Sequence, residues 1–258
     1  MGYFLRFTRI IYSIYAFLTF ILVMFLVFPL VCIASLFGER AGGNAIYALC
    51  RAWADSCMFL WGIRHTNIYE APLDARHSVV FVFNHISYLD IPVLLKTFRK
   101  QDIRVLGKAE MAKIPIFGFI YRKAAILVQR DDAAKRAESV KKLKEILQHN
   151  ISIVLAPEGT FNMTDKPLKD FYDGAFRIAI ETRTAIRPVI FLDTYDRLNY
   201  RSVFSLNPGR SRSVFLEEID ISPYGMGDIA ALKEKVYQVM ETALIKYHAG
   251  WIKNTQIQ

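Results

Sequence analysis

The segment NHISYLD, residues 84–90, follows directly on the apolar run SVVFVF and gathers Asn84, His85, Ser87 and Asp90 where a strand ends and a helix begins. Histidine has the ordinary pKa nearest neutrality, so His85 can accept a proton from an alcohol as that alcohol attacks a thioester carbonyl. Asp90 lies five residues on and can accept the second imidazole N–H, fixing the tautomer and stabilising the imidazolium, as the carboxylate of a hydrolase triad does. The substrate hydroxyl is then the nucleophile, no protein serine is required, and Ser87 reads as a structural, capping residue. A histidine and an aspartate at a strand exit serve equally well as a hydrogen-bonded loop pair, so the pair alone does not establish catalysis. His65, His77, His149 and His248 have no comparable carboxylate at a strand exit and read as surface or helix-end residues.

A second constellation is ISIVLAPEGTFN, a nearly continuous apolar strand broken abruptly at Pro157, Glu158, Gly159 and Thr160. Glycine permits close approach of a ligand to the backbone, and the turn amides together with Thr160 suit an oxyanion or a phosphate. On its own, this tetrapeptide is only a turn. Lys108 in LGKAEMAKIPIFG and Arg130 in AAILVQRDD each follow a strand, so both can converge on the sheet edge that carries His85. Two converging cations suit an anionic acceptor; the plainer reading is solvated charge at two strand ends.

The elements that must position these groups show in the texture of the chain. Short β-rich runs fall near 78–83, 103–106, 124–128, 151–155, 186–191 and 212–217, separated by polar helical segments, which points to an α/β fold. Asp132 can cap a helix whose Ala133, Ala137, Val140, Leu143 and Leu147 form one apolar stripe, leaving Lys135, Arg136, Lys141, Lys142 and Lys144 as a solvated basic face. A last helix is expected from Asp228 to about Tyr247. The chain has no internal repeat and no low-complexity linker.

Upstream, an uncharged stretch of about 29 residues lies between Arg9 and Glu39, against the roughly 20 that a bilayer requires. It is too long for a secretory signal and lacks a small-residue cleavage site, so it reads as a retained membrane helix, with Pro29 a possible bend. The following AIYALCRAWADSCMFLWG has helical periodicity and many aromatics, which fits an interfacial helix or a core helix of the domain. At 258 residues the chain holds one sizeable catalytic domain plus an appendage, and 53% hydrophobic residues leave apolar surface for lipid. A net charge of +9 favours anionic membranes, nucleic acid or phosphorylated substrates; the basic residues form no recognisable nucleic-acid module. Cys32, Cys50 and Cys57 form no ligand set or disulfide framework, so no metal is expected, and the absence of GxSxG argues against a serine lipid hydrolase.

Taken together, NHISYLD, KAEMAKIPIFG with QRDD, APEGT, and AIRPVIFLD resemble the four ordered blocks of the glycerolipid acyltransferase family, in particular bacterial 1-acylglycerol-3-phosphate acyltransferases, over about residues 77–195. The resemblance implies a mixed α/β sheet flanked by helices, of the glycerol-3-phosphate acyltransferase type, over 63–258, and an N-terminal membrane-associated helical pair over 1–62. It implies transfer of a fatty acyl group from acyl carrier protein or a coenzyme A thioester, with no bound cofactor, to the hydroxyl of a lysolipid. The expected acceptor is 1-acylglycerol-3-phosphate, giving phosphatidic acid for phospholipid synthesis at the inner or plasma membrane, with the catalytic domain facing the cytoplasm. His85 and Asp90 take the catalytic positions, while Asn84, Lys108, Arg130, Glu158, Gly159 and Thr160 fall on substrate-binding ones, and Pro188 on the fourth-block proline. One departure stands out: the family's arginine after the PEGT turn is here Phe161, followed by Asn162. Arg130, Lys108 or Arg177 can compensate, or the acceptor is a different lysolipid such as a lyso-aminolipid; a non-catalytic lipid-binding protein is the rival outside catalysis.

Overall fold

Runs rich in Val, Ile and Phe become strands because branched and aromatic side chains pack well on a pleated surface. The computed structural model describes residues 2–73, 77–128 and 133–252, and among these it has seven strands. They are β1 (Ile63–Tyr69), β2 (Val80–Phe83), β3 (Ile103–Lys108), β4 (Ala125–Val128), β5 (Ser152–Leu155), β6 (Ile186–Phe191) and β7 (Gly209–Phe215). One sheet in the order β1-β7-β6-β2-β5-β3-β4 contains them all. The five strands from β6 to β4 run parallel, β7 is antiparallel to β6, and β1 is parallel to β7.

The helices are α1 (Gly2–Ala34), α2 (Gly43–Leu60), α3 (Asp90–Thr97), α4 (Phe117–Ala124), α5 (Ala133–Gln148), α6 (Gly174–Thr182), α7 (Thr194–Arg197) and α8 (Ile229–Lys246). Successive strand residues face opposite ways, and the sheet separates two cores accordingly. Val80, Val82, Ile153, Leu155 and Ile190 pack with α5, α6 and α8. Phe81, Phe83, Val154, Val189 and Phe191 pack on the other face with α1, α2 and α3. Burial on both faces is why β2 reads as an unbroken apolar run and β5 as a nearly continuous one. The mixed, helix-flanked sheet is the fold the sequence led us to expect.

Strand β1 was not among the expected strands. It is an outer strand whose half-buried His65 meets polar partners, Nδ1 against Ser211 Oγ at 3.1 Å and Nε2 against Asn67 Oδ1 at 2.8 Å. That pairing hides the hydrophobic alternation, and it corrects the reading of His65 as a surface residue. Burial lowers its pKa to about 4, so it is a neutral part of this network. Asp132, the expected cap of α5, and Arg130 lie outside the described residues.

Helix α2 is a core helix on its aromatic side. Trp53 Nε1 donates to the Phe20 carbonyl at 3.2 Å and Trp61 Nε1 to Thr19 Oγ1 at 2.9 Å, both on α1. Tyr47 donates to the Ala124 carbonyl at 2.7 Å and accepts from the Val105 N–H at 2.9 Å. The aromatic polar tips therefore fasten α1 and the sheet to α2. Ala16, Met24, Val27 and Val31 of α1 face this shared core. Phe7, Ile11, Phe17, Leu18, Leu22 and Leu26 face outward and are exposed. The helix is long and apolar enough to cross a membrane, by length and composition.

Candidate active site

The carboxyl ends of the parallel strands meet at one edge, where β2 runs into His85 and β5 into Pro157–Thr160. His85 Nδ1–H donates to Asp90 Oδ2 at 2.8 Å. The same oxygen accepts the main-chain N–H groups of Ile86 and Ser87 at 2.8 and 2.9 Å. Asp90 is the first residue of α3 and fully buried, where the positive end of the helix favours a carboxylate. Holding the proton on Nδ1 leaves the Nε2 lone pair as the basic site, and His85 is only partly buried, so that nitrogen can meet a substrate.

The PEGT turn grips the backbone of this histidine. Glu158 Oε1 accepts the His85 N–H at 2.8 Å, and the Asn162 N–H donates to the His85 carbonyl at 2.7 Å. Glu158 Oε2 accepts the Lys169 N–H at 2.9 Å. Burial pushes the Glu158 carboxyl up to about 8, against the pull of those two N–H donors. Gly159 adopts a φ of 71°, a left-handed conformation that glycine enters without cost, and this lets the turn fold back beneath the strand end. Phe161 sets its ring at 69° to the His85 imidazole with centroids 4.4 Å apart, and meets Tyr88 at 4.9 Å.

A model of the acyltransferase family matches residues 63–192, from the first residue of β1 to just past β6. The chain belongs to the acyltransferase family. It is 30% identical over 166 residues to a 1-acyl-sn-glycerol-3-phosphate acyltransferase of Helicobacter pylori, an alignment spanning 64% of this chain and 68% of that one. A Haemophilus influenzae protein of the same name is 26% identical over 177 residues, 67% of this chain and 72% of the other. The crystal structure of the 1-acyl-sn-glycerophosphate acyltransferase of Thermotoga maritima superimposes with a TM-score of 0.72 over 95% of this chain and all 100% of that one. At 19% identity that likeness speaks for the fold.

Within this acyltransferase, two residues expected to bind substrate are turned inward. Asn84 is buried, its Nδ2 donating to the Phe191 carbonyl at 3.1 Å and its Oδ1 accepting the Phe191 N–H at 2.8 Å. Glu158 is fully buried and engaged with backbone N–H groups on both oxygens. Both fix the position of the strand end and have no surface for an acceptor. Lys108 ends β3 on the same edge as His85, but it is exposed and pairs with Glu110 at 3.7 Å. Ser87 is a buried structural residue just ahead of α3, as expected. Its hydroxyl accepts the Leu89 N–H at 2.9 Å and donates to the Leu198 carbonyl, tying the loop after α7 to the site.

Two groups of the site were assigned no role from the sequence. Asn162 is buried and organises its own loop through its side chain, accepting from Thr164 and donating to the Lys166 carbonyl at 2.9 Å. Lys169 places its Nζ 2.9 Å from Thr160 Oγ1, which sets a cation on the PEGT turn. A lysine in an irregular loop has no periodicity to mark it, although its position shortly after PEGT was a usable signal. Beside the first turn of α3, an apolar cavity of about 100 Å³ is lined by Phe20, Trp53, Ala54, Ile91, Leu94 and Ile120 among others.

Proposed function

We propose that this acyltransferase moves a fatty acyl group from an acyl carrier protein or coenzyme A thioester to the free hydroxyl of 1-acylglycerol-3-phosphate at a membrane surface, giving phosphatidic acid. The observation that carries this reading is the 2.8 Å contact between His85 Nδ1 and Asp90 Oδ2, which leaves Nε2 as a general base at an open strand edge. Nε2 takes the hydroxyl proton as the oxygen attacks the thioester carbonyl. Collapse of the tetrahedral intermediate breaks the C–S bond, and the imidazolium returns the proton to the departing thiolate. Asp90 stabilises the imidazolium between these steps, and backbone donors of the PEGT turn stabilise the oxyanion.

The acceptor phosphate is assigned to the cation of Lys169 together with the Thr160 hydroxyl, because Phe161 supplies no charge where the resemblance calls for arginine. The apolar cavity beside α3 receives part of an acyl chain. The outward apolar face of α1 anchors the enzyme to the bilayer, and the catalytic domain lies on the cytoplasmic side, where thioester donors are made. Phe161 against His85 also supports a second reading, in which the acceptor is a lysolipid without a bare phosphate, such as a lyso-aminolipid.

A panel of lysolipids offered with acyl thioester donors, and read by mass spectrometry of the diacylated product, tests both. Preference for lysophosphatidate supports the first reading and preference for a lyso-aminolipid the second. Failure to acylate any lysolipid would refute acyl transfer to this class.

A further inference from the structure

At the edge of the sheet opposite His85, a cavity of about 500 Å³ opens between the α1–α2 turn and the starts of β3, β4 and β5. Its lining includes Arg104, Arg122, Lys123, Lys142 and His149, and no carboxylate among the described residues. Arg104 is the second residue of β3, Ala125 begins β4 and Ile151 directly precedes β5, so the cavity belongs to the amino ends of the strands. The base is built with care. Arg104 is buried, with Nη1 donating to the Ile103 carbonyl at 2.8 Å, Nη2 to Asn44 Oδ1 at 3.0 Å, and its guanidinium 5.2 Å from the Tyr47 ring centre. Gly43 makes room for it, since a Cβ there would lie 2.7 Å from Nη2.

Arg122, Lys123 and Lys142 are exposed around this fixed guanidinium. Cations gathered in one concavity raise the local potential and draw in an anion. The rim indicates which anion. Ser35 and Gly38 line the cavity, and between them Leu36 and Phe37 are 81% and 67% exposed, continuing the apolar outer face of α1. Cationic groups abutting exposed apolar side chains match the layering of headgroups over acyl chains. A concavity of this size accepts a headgroup, whereas a protein partner needs a broad surface.

We propose that this cavity binds the phosphate-bearing headgroup of an anionic phospholipid of the surrounding membrane, its chains lying along Leu36 and Phe37, at a site separate from the catalytic edge. The proposal rests on the reading of α1 as a membrane anchor. It would hold the enzyme at a set orientation and make its attachment depend on lipid charge.

Flotation of the full chain with phosphatidylcholine vesicles, with and without phosphatidylglycerol, provides the test. The wild type is expected to favour the anionic vesicles. Lys123→Glu/Lys142→Glu should lose that preference by on the order of tenfold or more, since each basic residue near an anionic surface is worth about fivefold. Lys233→Glu/Lys235→Glu, on α8 and outside the cavity lining, should change it by less than about twofold for want of contact with that surface. Inorganic phosphate should weaken binding more than sodium chloride at matched ionic strength, because it competes for the pocket that the headgroup phosphate fills. Equal weakening by the two salts would reduce the attraction to diffuse surface charge and overturn the pocket. Binding to both vesicles without an anionic preference overturns the pocket while leaving the α1 anchor standing, and binding to neither overturns both.

Discussion

Glu158 Oε1 accepts the main-chain N–H of His85 at 2.8 Å, so a buried carboxyl from one strand end holds the histidine of another. Because both Glu158 oxygens are engaged by main-chain N–H groups, one of them that of His85, its loss should act through His85. Glu158→Ala orphans the His85 and Lys169 N–H groups, at a cost of about 1–3 kcal/mol each in stability. Glu158→Gln keeps one acceptor. It should fold and lose on the order of tenfold in kcat with acceptor KM little changed, a split that steady-state kinetics will read.

The same residue sets a pH dependence. Glu158 titrates near 4.5 when exposed and near 8 when buried in the fold, so between these values the folded state holds a proton that the unfolded chain has released. Its contribution to stability is therefore full below about 4.5 and is lost progressively as pH rises to about 8. Thermal melts across this interval should show wild type falling relative to Glu158→Gln, with the two curves parallel above it.

Acceptor choice should follow the cation on the turn. Lys169→Met is expected to raise KM for lysophosphatidate on the order of tenfold, the scale of one charge-assisted hydrogen bond, with kcat less affected. Phe161→Arg should lower that KM and narrow the acceptor range. If Lys169→Met changes kcat alone, the lysine is a positioning residue and the phosphate binds elsewhere.

Chain length should follow the cavity beside α3. Ala54 lines it from α2 and is buried, so Ala54→Leu fills part of its volume of about 100 Å³. Competition between long and short acyl thioesters should shift toward the shorter donor. An unchanged preference would place the acyl chain elsewhere.

The sequence carried the architecture because β2, β5 and β6 are buried on both faces and are largely apolar, between helices. The pairing of His85 with Asp90 was legible too, since a strand exit followed by a first helical turn brings those positions together. What Glu158 and Asn84 do was not legible, because their partners are main-chain groups of remote segments, which leave no trace in residue type. Tyr47, Trp53 and Trp61 suited a headgroup zone or a core equally by composition, and only the hydrogen bonds to α1 and the sheet decide between them. Strand β1 was hidden by the polar pairing of His65 with Ser211 and Asn67, which replaces the apolar alternation a strand is recognised by.

The central claim is that His85, held by Asp90, removes the proton of the acceptor hydroxyl. The most direct measurement is the rate of diacylated product formation by His85→Ala beside wild type, with folding checked by thermal melting. The geometry predicts a loss of about 100- to 10,000-fold in turnover at a little-changed melting temperature, and Asp90→Asn a loss in the same range. A folded His85→Ala enzyme with near wild-type turnover would contradict the mechanism.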